Sequence, residues 1–219
     1  MHVVVNIIIT IVAYLLGSIP TSVWISRAFF NIDIRDFGSG NAGSTNTFRV
    51  LGVKAGIIVF IVDVVKGFIA VNLIHFTKYY IPNSGDYINI QLLLGIAAML
   101  GHIFPVYVGF KGGKGVATLF GVICAISLYP TLIMAGIFIV TLVATRYVSL
   151  SSMVAGFSFP VLIIVIFKET TPTLVIFSLI IAILMLFTHQ KNIERLLAKE
   201  EKKANLPKIK KKIKQSEGI

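Results

Sequence analysis

Residues 116–145 read VATLFGVICAISLYPTLIMAGIFIVTLVAT. No charged side chain interrupts them, and a membrane span needs only about 20 apolar residues. Taken whole, the run is one long tilted span. However, Pro130 stands in its middle behind Tyr129, and proline breaks or kinks a helix at the preceding residue. The alternative is two short spans joined by a tight turn. The choice decides the side of the membrane on which everything after residue 145 lies.

Positive charge settles it, because Lys and Arg collect in cytoplasmic loops. Working outward from this run, apolar segments lie at 3–23, 53–76, 88–108, 151–167 and 172–188. The basic loops 24–52 and 109–114 are separated by two spans and share a side. With spans at 115–129 and 131–146, Arg146 and the ten basic residues after residue 188 join that side. Seventeen of the 20 Lys and Arg then face the cytoplasm. Lys78 and Lys168 face outward, and Lys66 lies within a span. A single span would place the basic tail opposite the first loop.

The expected fold is therefore an all-α polytopic membrane protein of seven transmembrane helices, amino terminus outside and carboxyl terminus cytoplasmic. Residues 1–197 form the membrane domain, with loops 24–52, 109–114, 146–151 and 189–197 on the cytoplasmic face. Residues 198–219 form a basic, partly disordered tail whose run 208–214 is placed to touch anionic lipid heads. Composition agrees: 56% of the 219 residues are hydrophobic and 13% charged, against about a quarter charged in soluble domains. Mean hydropathy is +0.90. The net charge of +11 is explained by membrane topology and does not call for nucleic acid. Cys124 is the single cysteine, which excludes an internal disulfide and Cys-based zinc spacing. The amino terminus lacks a basic leader region and reads as the first span.

Three cytoplasmic loops are unusually rich in anion-binding chemistry. The first, Asp36-Phe-Gly-Ser-Gly-Asn-Ala-Gly-Ser-Thr-Asn-Thr-Phe-Arg49, sets Gly38, Gly40 and Gly43 among Ser39, Asn41, Ser44, Thr45 and Asn46. Glycines let backbone N–H groups approach an anion closely, and Arg49 offers a planar fork to phosphate. The second, Gly109-Phe-Lys-Gly-Gly-Lys-Gly115, puts Lys111, Gly112, Gly113, Lys114 and Gly115 at the start of a helix, whose free N–H groups and dipole favour anions. It does not match the nucleotide-binding P-loop pattern, so ATP is not implied. The third carries Arg146 and Ser149, with Ser149, Ser151 or Ser152 placed to cap the next helix. Past the last span, His189 and Asn192 share a helix face. Asp63 and Lys66, three apart inside a span, read as an ion pair facing the bundle interior.

Ser39-Gly-Asn-Ala-Gly-Ser-Thr-Asn46 with Arg49, and Lys111-Gly-Gly-Lys-Gly-Val-Ala117, are similar to the first two motifs of the bacterial acyl-phosphate:glycerol-3-phosphate acyltransferases. Arg146-Tyr-Val-Ser-Leu150 and His189 with Asn192 fall where further elements of that family belong. Gly17-Ser-Ile-Pro20, Asp63-Val-Val-Lys-Gly67 and Gly101-His-Ile-Phe-Pro105 also resemble it, and the match runs in order through 14–197. The resemblance implies transfer of a fatty acyl group from acyl phosphate to the sn-1 hydroxyl of glycerol 3-phosphate, giving lysophosphatidic acid and phosphate in phospholipid synthesis. It implies a bacterial cell membrane, a soluble partner enzyme that makes the acyl phosphate, and no metal or cofactor. The expected catalytic residues are Ser39, Lys111, His189 and Asn192. The expected substrate-binding residues are Gly40, Asn41, Gly43, Thr45, Asn46, Arg49, Gly112, Gly113, Lys114, Gly115, Arg146 and Ser149. A transporter of a phosphorylated solute is the competing class, but it needs a path to an outer face that offers only sparse polar segments.

Overall fold

The computed structural model describes residues 2–204, so the basic run 208–214 and the expected disorder of the distal tail lie outside the described residues. Every regular element among them is helical. The chain begins with α1 (His2–Gly17) and α2 (Thr21–Phe30), followed by the short α3 (Ser44–Val50). Next come α4 (Val53–Asn72), prolonged by a 3-10 turn at Leu73–Phe76, and α5 (Gly85–Ile103). The disputed run forms α6 (Val116–Ile126) and α7 (Leu128–Thr145). The chain closes with α8 (Val148–Val161), a π turn at Leu162–Ile166, α9 (Pro172–Thr188) and α10 (Gln190–Leu197).

The disputed run is split, but not at Pro130. The break is Ser127, extended at φ −148, ψ 96. Pro130 sits in the first turn of α7, where a missing N–H leaves no intrahelical bond unmade. Among the described residues, five stretches are long and apolar enough to cross a membrane: His2–Phe30, Val53–Phe76, Gly85–Val108, Leu128–Thr145 and Val148–Ile166. A sixth arises if Pro172–Thr188 and Gln190–Leu197, bent by 60°, are taken as one span. The 11 residues of α6 rise only about 16 Å, roughly half the hydrocarbon thickness. The chain is thus a multi-pass helical membrane protein in which α6 is a short inner helix.

Two helix crossings bring backbones together. A Cβ on Gly121 of α6 would lie 1.9 Å from the Val64 carbonyl oxygen of α4, and one on Gly67 of α4 would lie 2.2 Å from that of Thr118. The α1–α5 crossing repeats the device with Gly17 against Ala98 and Gly101 against Tyr14. In lipid, helices associate through such close packing because burial of apolar surface gives little drive. Outward residues such as Ile8, Ile57, Val140 and Ile180 remain exposed, as a lipid-facing surface requires.

The first expected span, 3–23, is interrupted at Ser18-Ile19-Pro20 and resumes as α2 as far as Phe30. Pro20 cannot donate a backbone hydrogen bond. Lys66 Nζ compensates the break by donating to the Ile19 carbonyl at 2.9 Å, while pairing with Asp63 Oδ1 at 2.8 Å. Thr21 Oγ1 donates to the same carboxylate at 3.2 Å. The buried ion pair therefore fixes the kink between α1 and α2.

Candidate active site

The glycine-rich loops, the start of α8 and the end of α9 converge on one cavity of about 450 Å³. Of the residues singled out in the sequence, Ser39, Gly40, Asn41, Gly43, Thr45, Asn46, Arg49, Gly113, Lys114, Gly115, Ser149, His189 and Asn192 line it. Val116, Ala117, Val148 and Phe187 give it an apolar wall.

The first loop is held by its own side chains. Asn46 is 1% exposed. Its Oδ1 accepts from Ser39 N at 2.8 Å, and its Nδ2 donates to the carbonyls of Ile34 and Phe37 at 3.1 and 2.9 Å. Expected as a substrate ligand, Asn46 instead spends its amide hydrogens on loop shape, which presents Ser39 and Gly40 to the cavity. Arg35 ties this loop to the second. It grips Asp33 with Nε and Nη2 at 2.9 and 2.7 Å and donates from Nη1 to the Val108 carbonyl at 2.9 Å. That grip holds the Asp33 carboxyl well below the usual carboxylate range.

In the second loop, Gly112 N and Gly113 N donate to the Ile103 and His102 carbonyls at 3.1 and 3.2 Å. The loop is thereby folded onto the end of α5. A Cβ on Gly113 would meet His102 Nε2 at 2.3 Å. Gly115, at φ +79, turns the chain into α6 without a side-chain cap. The unpaired N–H groups of that helix start point a positive dipole end at the cavity. Lys114 Nζ reaches Asn192 Oδ1. Burial first, then the charges of Arg195 and Arg49, push the lysine down to about 8, with Glu201 opposing.

The structure places several expected loop features differently. Lys111 is exposed and Gly112 is packed behind the loop, and neither lines the main cavity. The bond from Gly112 N to the Ile103 carbonyl holds Gly112 against the end of α5. The expected loop 146–151 shrinks to Arg146 and Tyr147, because α8 begins at Val148. Arg146 is exposed at φ +62 and is not among the residues that line the cavity. No serine caps α8. Ser151 and Ser152 bond back to the Tyr147 and Val148 carbonyls at 2.8 and 2.9 Å, the usual way a helix-interior serine satisfies its hydroxyl.

At the hinge between α9 and α10, His189 is 3% exposed. Its Nδ1 lies 3.0 Å from the Met185 carbonyl. A carbonyl only accepts, so Nδ1 carries the proton and Nε2 keeps its lone pair in the neutral ring. Burial and then the Lys114 charge push this histidine, past the end of α9, down to about 4.

The sequence reading missed Glu201 altogether and gave Arg195 no role. Glu201 Oε1 accepts from Ser149 Oγ and Asn192 Nδ2, both at 2.8 Å, and Oε2 accepts from Arg195 Nε at 2.8 Å. Arg49 Nη2 lies 3.8 Å from Oε1. Burial alone raises such a carboxyl, but the bonds from Arg195, Asn192 and Ser149 outweigh it and hold it below its ordinary value.

A cavity ringed by Arg49, Lys114 and Arg195, walled on one side by a helix start and on another by apolar side chains, suits molecules with a phosphate head and a greasy tail. Comparison with known proteins agrees. The family model described as glycerol-3-phosphate acyltransferase matches residues 7–199. The chain belongs to the glycerol-3-phosphate acyltransferase family. It is accordingly an acyltransferase of lipid biosynthesis. A family member from Chlorobium phaeobacteroides (strain BS1) is 42% identical, covering 89% of this chain and 94% of its own. One from Chlorobaculum tepidum is 40% identical, with 88% and 94% covered. The fold is similar to crystal structures of PlsY (YgiH), an integral membrane glycerol 3-phosphate acyltransferase. The glycerol 3-phosphate form superposes with a TM-score of 0.81 at 35% identity, covering 91% of this chain and 96% of that one. The lysophosphatidic acid form gives 0.77 at 34%, covering 91% and 95%.

Proposed function

We propose that this acyltransferase takes its acyl group from acyl phosphate and delivers it to the sn-1 hydroxyl of glycerol 3-phosphate, at the cytoplasmic face of a bacterial cell membrane. The products are lysophosphatidic acid and inorganic phosphate. The observation that carries this reading is the cavity itself: Arg49, Lys114 and Arg195 gather around one space that also has an apolar wall ending at the exposed Phe187. Two phosphate heads need several cations, and an acyl chain needs a route to lipid. The PlsY forms with glycerol 3-phosphate and with lysophosphatidic acid name molecules of this kind for a relative.

The proposed orientation keeps seven membrane-inserted helices, the short α6 among them, with the amino terminus outside. Lys114 and Gly115, before α6, and Val148 and Ser149, after α7, line the same cavity. An α6–α7 pair that leaves and returns to one face supports that orientation. So does the gathering of basic residues on the cytoplasmic side.

In the proposed reaction the glycerol hydroxyl oxygen attacks the acyl carbon. The bond from that carbon to the phosphate oxygen breaks, and phosphate departs with the bonding electrons. Lys114 and the N–H groups at the start of α6 stabilise the negative charge that develops on the acyl oxygen and the leaving group. His189 Nε2 accepts from the hydroxyl and aims it. A histidine held near 4 is a poorer base than a phosphate group titrating at about 6, so the proton passes to a substrate phosphate. His189→Ala is then expected to lower kcat by about 10²-fold through lost orientation. Turnover at the wild-type rate, measured at saturating substrates, would remove that role.

The lowered position of Lys114 predicts a pH dependence. The protonated amine attracts phosphate, and its charge is lost as pH rises through about 8. A plot of log kcat/KM against pH, which reports groups of the free enzyme, is expected to bend downward there. With Lys114→Arg the bend should leave the accessible range, because a guanidinium stays charged. A bend that persisted unchanged in that variant would assign it to another group.

The donor is tested by offering the purified protein acyl phosphate, acyl-CoA and acyl carrier protein thioester in parallel, each with glycerol 3-phosphate. Only acyl phosphate, made in the cell by a soluble partner enzyme, is expected to yield product. Direct use of acyl-CoA would overturn the donor assignment.

A further inference from the structure

The second loop ends in a segment that one histidine holds at both ends. His102, in the last turn of α5, is 6% exposed. Its carbonyl accepts from Gly113 N at 3.2 Å, and its ring lies so close to Gly113 that a Cβ there would collide with Nε2. Its Nδ1 stands 3.0 Å from Oγ1 of Thr118, a fully buried residue in the first turn of α6. Between these two contacts lie Lys114, Gly115, Val116 and Ala117, and all four line the cavity.

Asp63 of α4 orients the ring in turn, with Oδ1 3.7 Å from Nδ1. That carboxylate is itself fixed by Lys66 Nζ at 2.8 Å and by Thr21 Oγ1 at 3.2 Å. A carboxylate only accepts, so it favours the ring proton on Nδ1, where the proton is donated to Thr118 Oγ1. The histidine therefore joins the kink between α1 and α2, the buried pair on α4 and the start of α6. None of these contacts is used by the reaction as drawn above.

We propose that His102 is a positioning residue for acyl transfer: through Gly113 and Thr118 it sets the direction in which α6 starts, and so places Lys114. This rests on the acyl-transfer reading above. Stabilisation of developing charge depends on groups that are already in place, and a misplacement of about 1 Å costs up to about 10²-fold. The segment has little stiffness of its own, since Gly113 and Gly115 flank Lys114 and no side chain caps α6. A histidine that only filled the core predicts something else. Its loss would lower stability with kcat kept, or would add in full to the loss caused by Lys114→Ala.

The test is a double-mutant cycle in steady-state kinetics of the full chain. Thr118→Val keeps the shape of the side chain, removes the hydroxyl and is expected to lower kcat about tenfold. Thr118→Ser keeps the hydroxyl and is expected to keep wild-type kcat. In a Lys114→Ala background, Thr118→Val is expected to cost less than about twofold more, because the lysine through which the contact acts is gone. His102→Leu is expected to match Thr118→Val in both backgrounds, and the threonine variants decide if it does not fold. Wild-type kcat in Thr118→Val overturns the proposal. So does an equal fall in Thr118→Ser, or a full tenfold loss on top of Lys114→Ala.

A second measurement needs no turnover, so failure of the acyl-transfer reading and failure of this contact are told apart. Nitrogen NMR of the protein with isotopically labelled histidine is expected to show a proton on His102 Nδ1, the signal being assigned by its loss in His102→Leu. A bare Nδ1 overturns the proposal.

Discussion

Lys114→Ala is expected to lower kcat/KM for acyl transfer by about 10²–10³-fold, the usual effect of removing one preorganised stabiliser of developing negative charge. The lysine stands where Gly115 opens α6, so its ammonium and the helix dipole act on the same point. Partial burial strengthens its attraction for an anion because little water screens it. Arg49 and Arg195 approach from other elements and leave the start of α6 without a replacement charge. The measurement is phosphate release by purified variant and wild type at matched protein. A loss of less than threefold from a folded variant would move the leaving phosphate away from the α6 start.

Gly121→Val is expected to destabilise the bundle more than any substitution in the cavity. Its Cβ would fall 1.9 Å from the Val64 carbonyl oxygen, a backbone atom of the facing helix that cannot rotate away. Overpacking costs about 1–3 kcal/mol where side chains yield, and here the whole α4–α6 crossing must widen. At about 2–4 °C per kcal/mol for a chain of this length, a drop in Tm of roughly 10 °C in detergent is the expected readout. Gly136, where an added Cβ meets nothing within 4 Å, is the control position: Gly136→Ala should leave Tm within about 2 °C. Equal stability of the two variants would show that α4 and α6 do not depend on this contact.

How much was legible in the sequence varies by the kind of interaction. Hydropathy located α9 at Pro172–Thr188 and the helical stretch Val53–Phe76 to the residue, because a lipid-crossing segment is defined by its own composition. The break in the run 116–145 was legible as a need for parity, but its position was not. Proline is tolerated in a first helical turn, so Pro130 marks the vicinity of the break at Ser127. Cations and glycines around Arg49 and Lys114 were legible because their chemistry is local to two short loops. Which half of the second loop faces the cavity depends on carbonyls at the end of α5, and no local pattern reports that. Asn46 looked like a ligand because amide side chains serve loops and ligands alike. Glu201 meets Ser149 across 52 positions, and a lone glutamate in a charged tail carries no signal of such a contact.

The proposed reaction joins an acyl phosphate to glycerol 3-phosphate without an acylated enzyme. Purified protein in detergent, supplied with both compounds, is expected to release inorganic phosphate and sn-1 lysophosphatidic acid in equal amounts, and to release no burst of phosphate when glycerol 3-phosphate is withheld. A stoichiometric burst, or phosphate without lysophosphatidic acid, would contradict it.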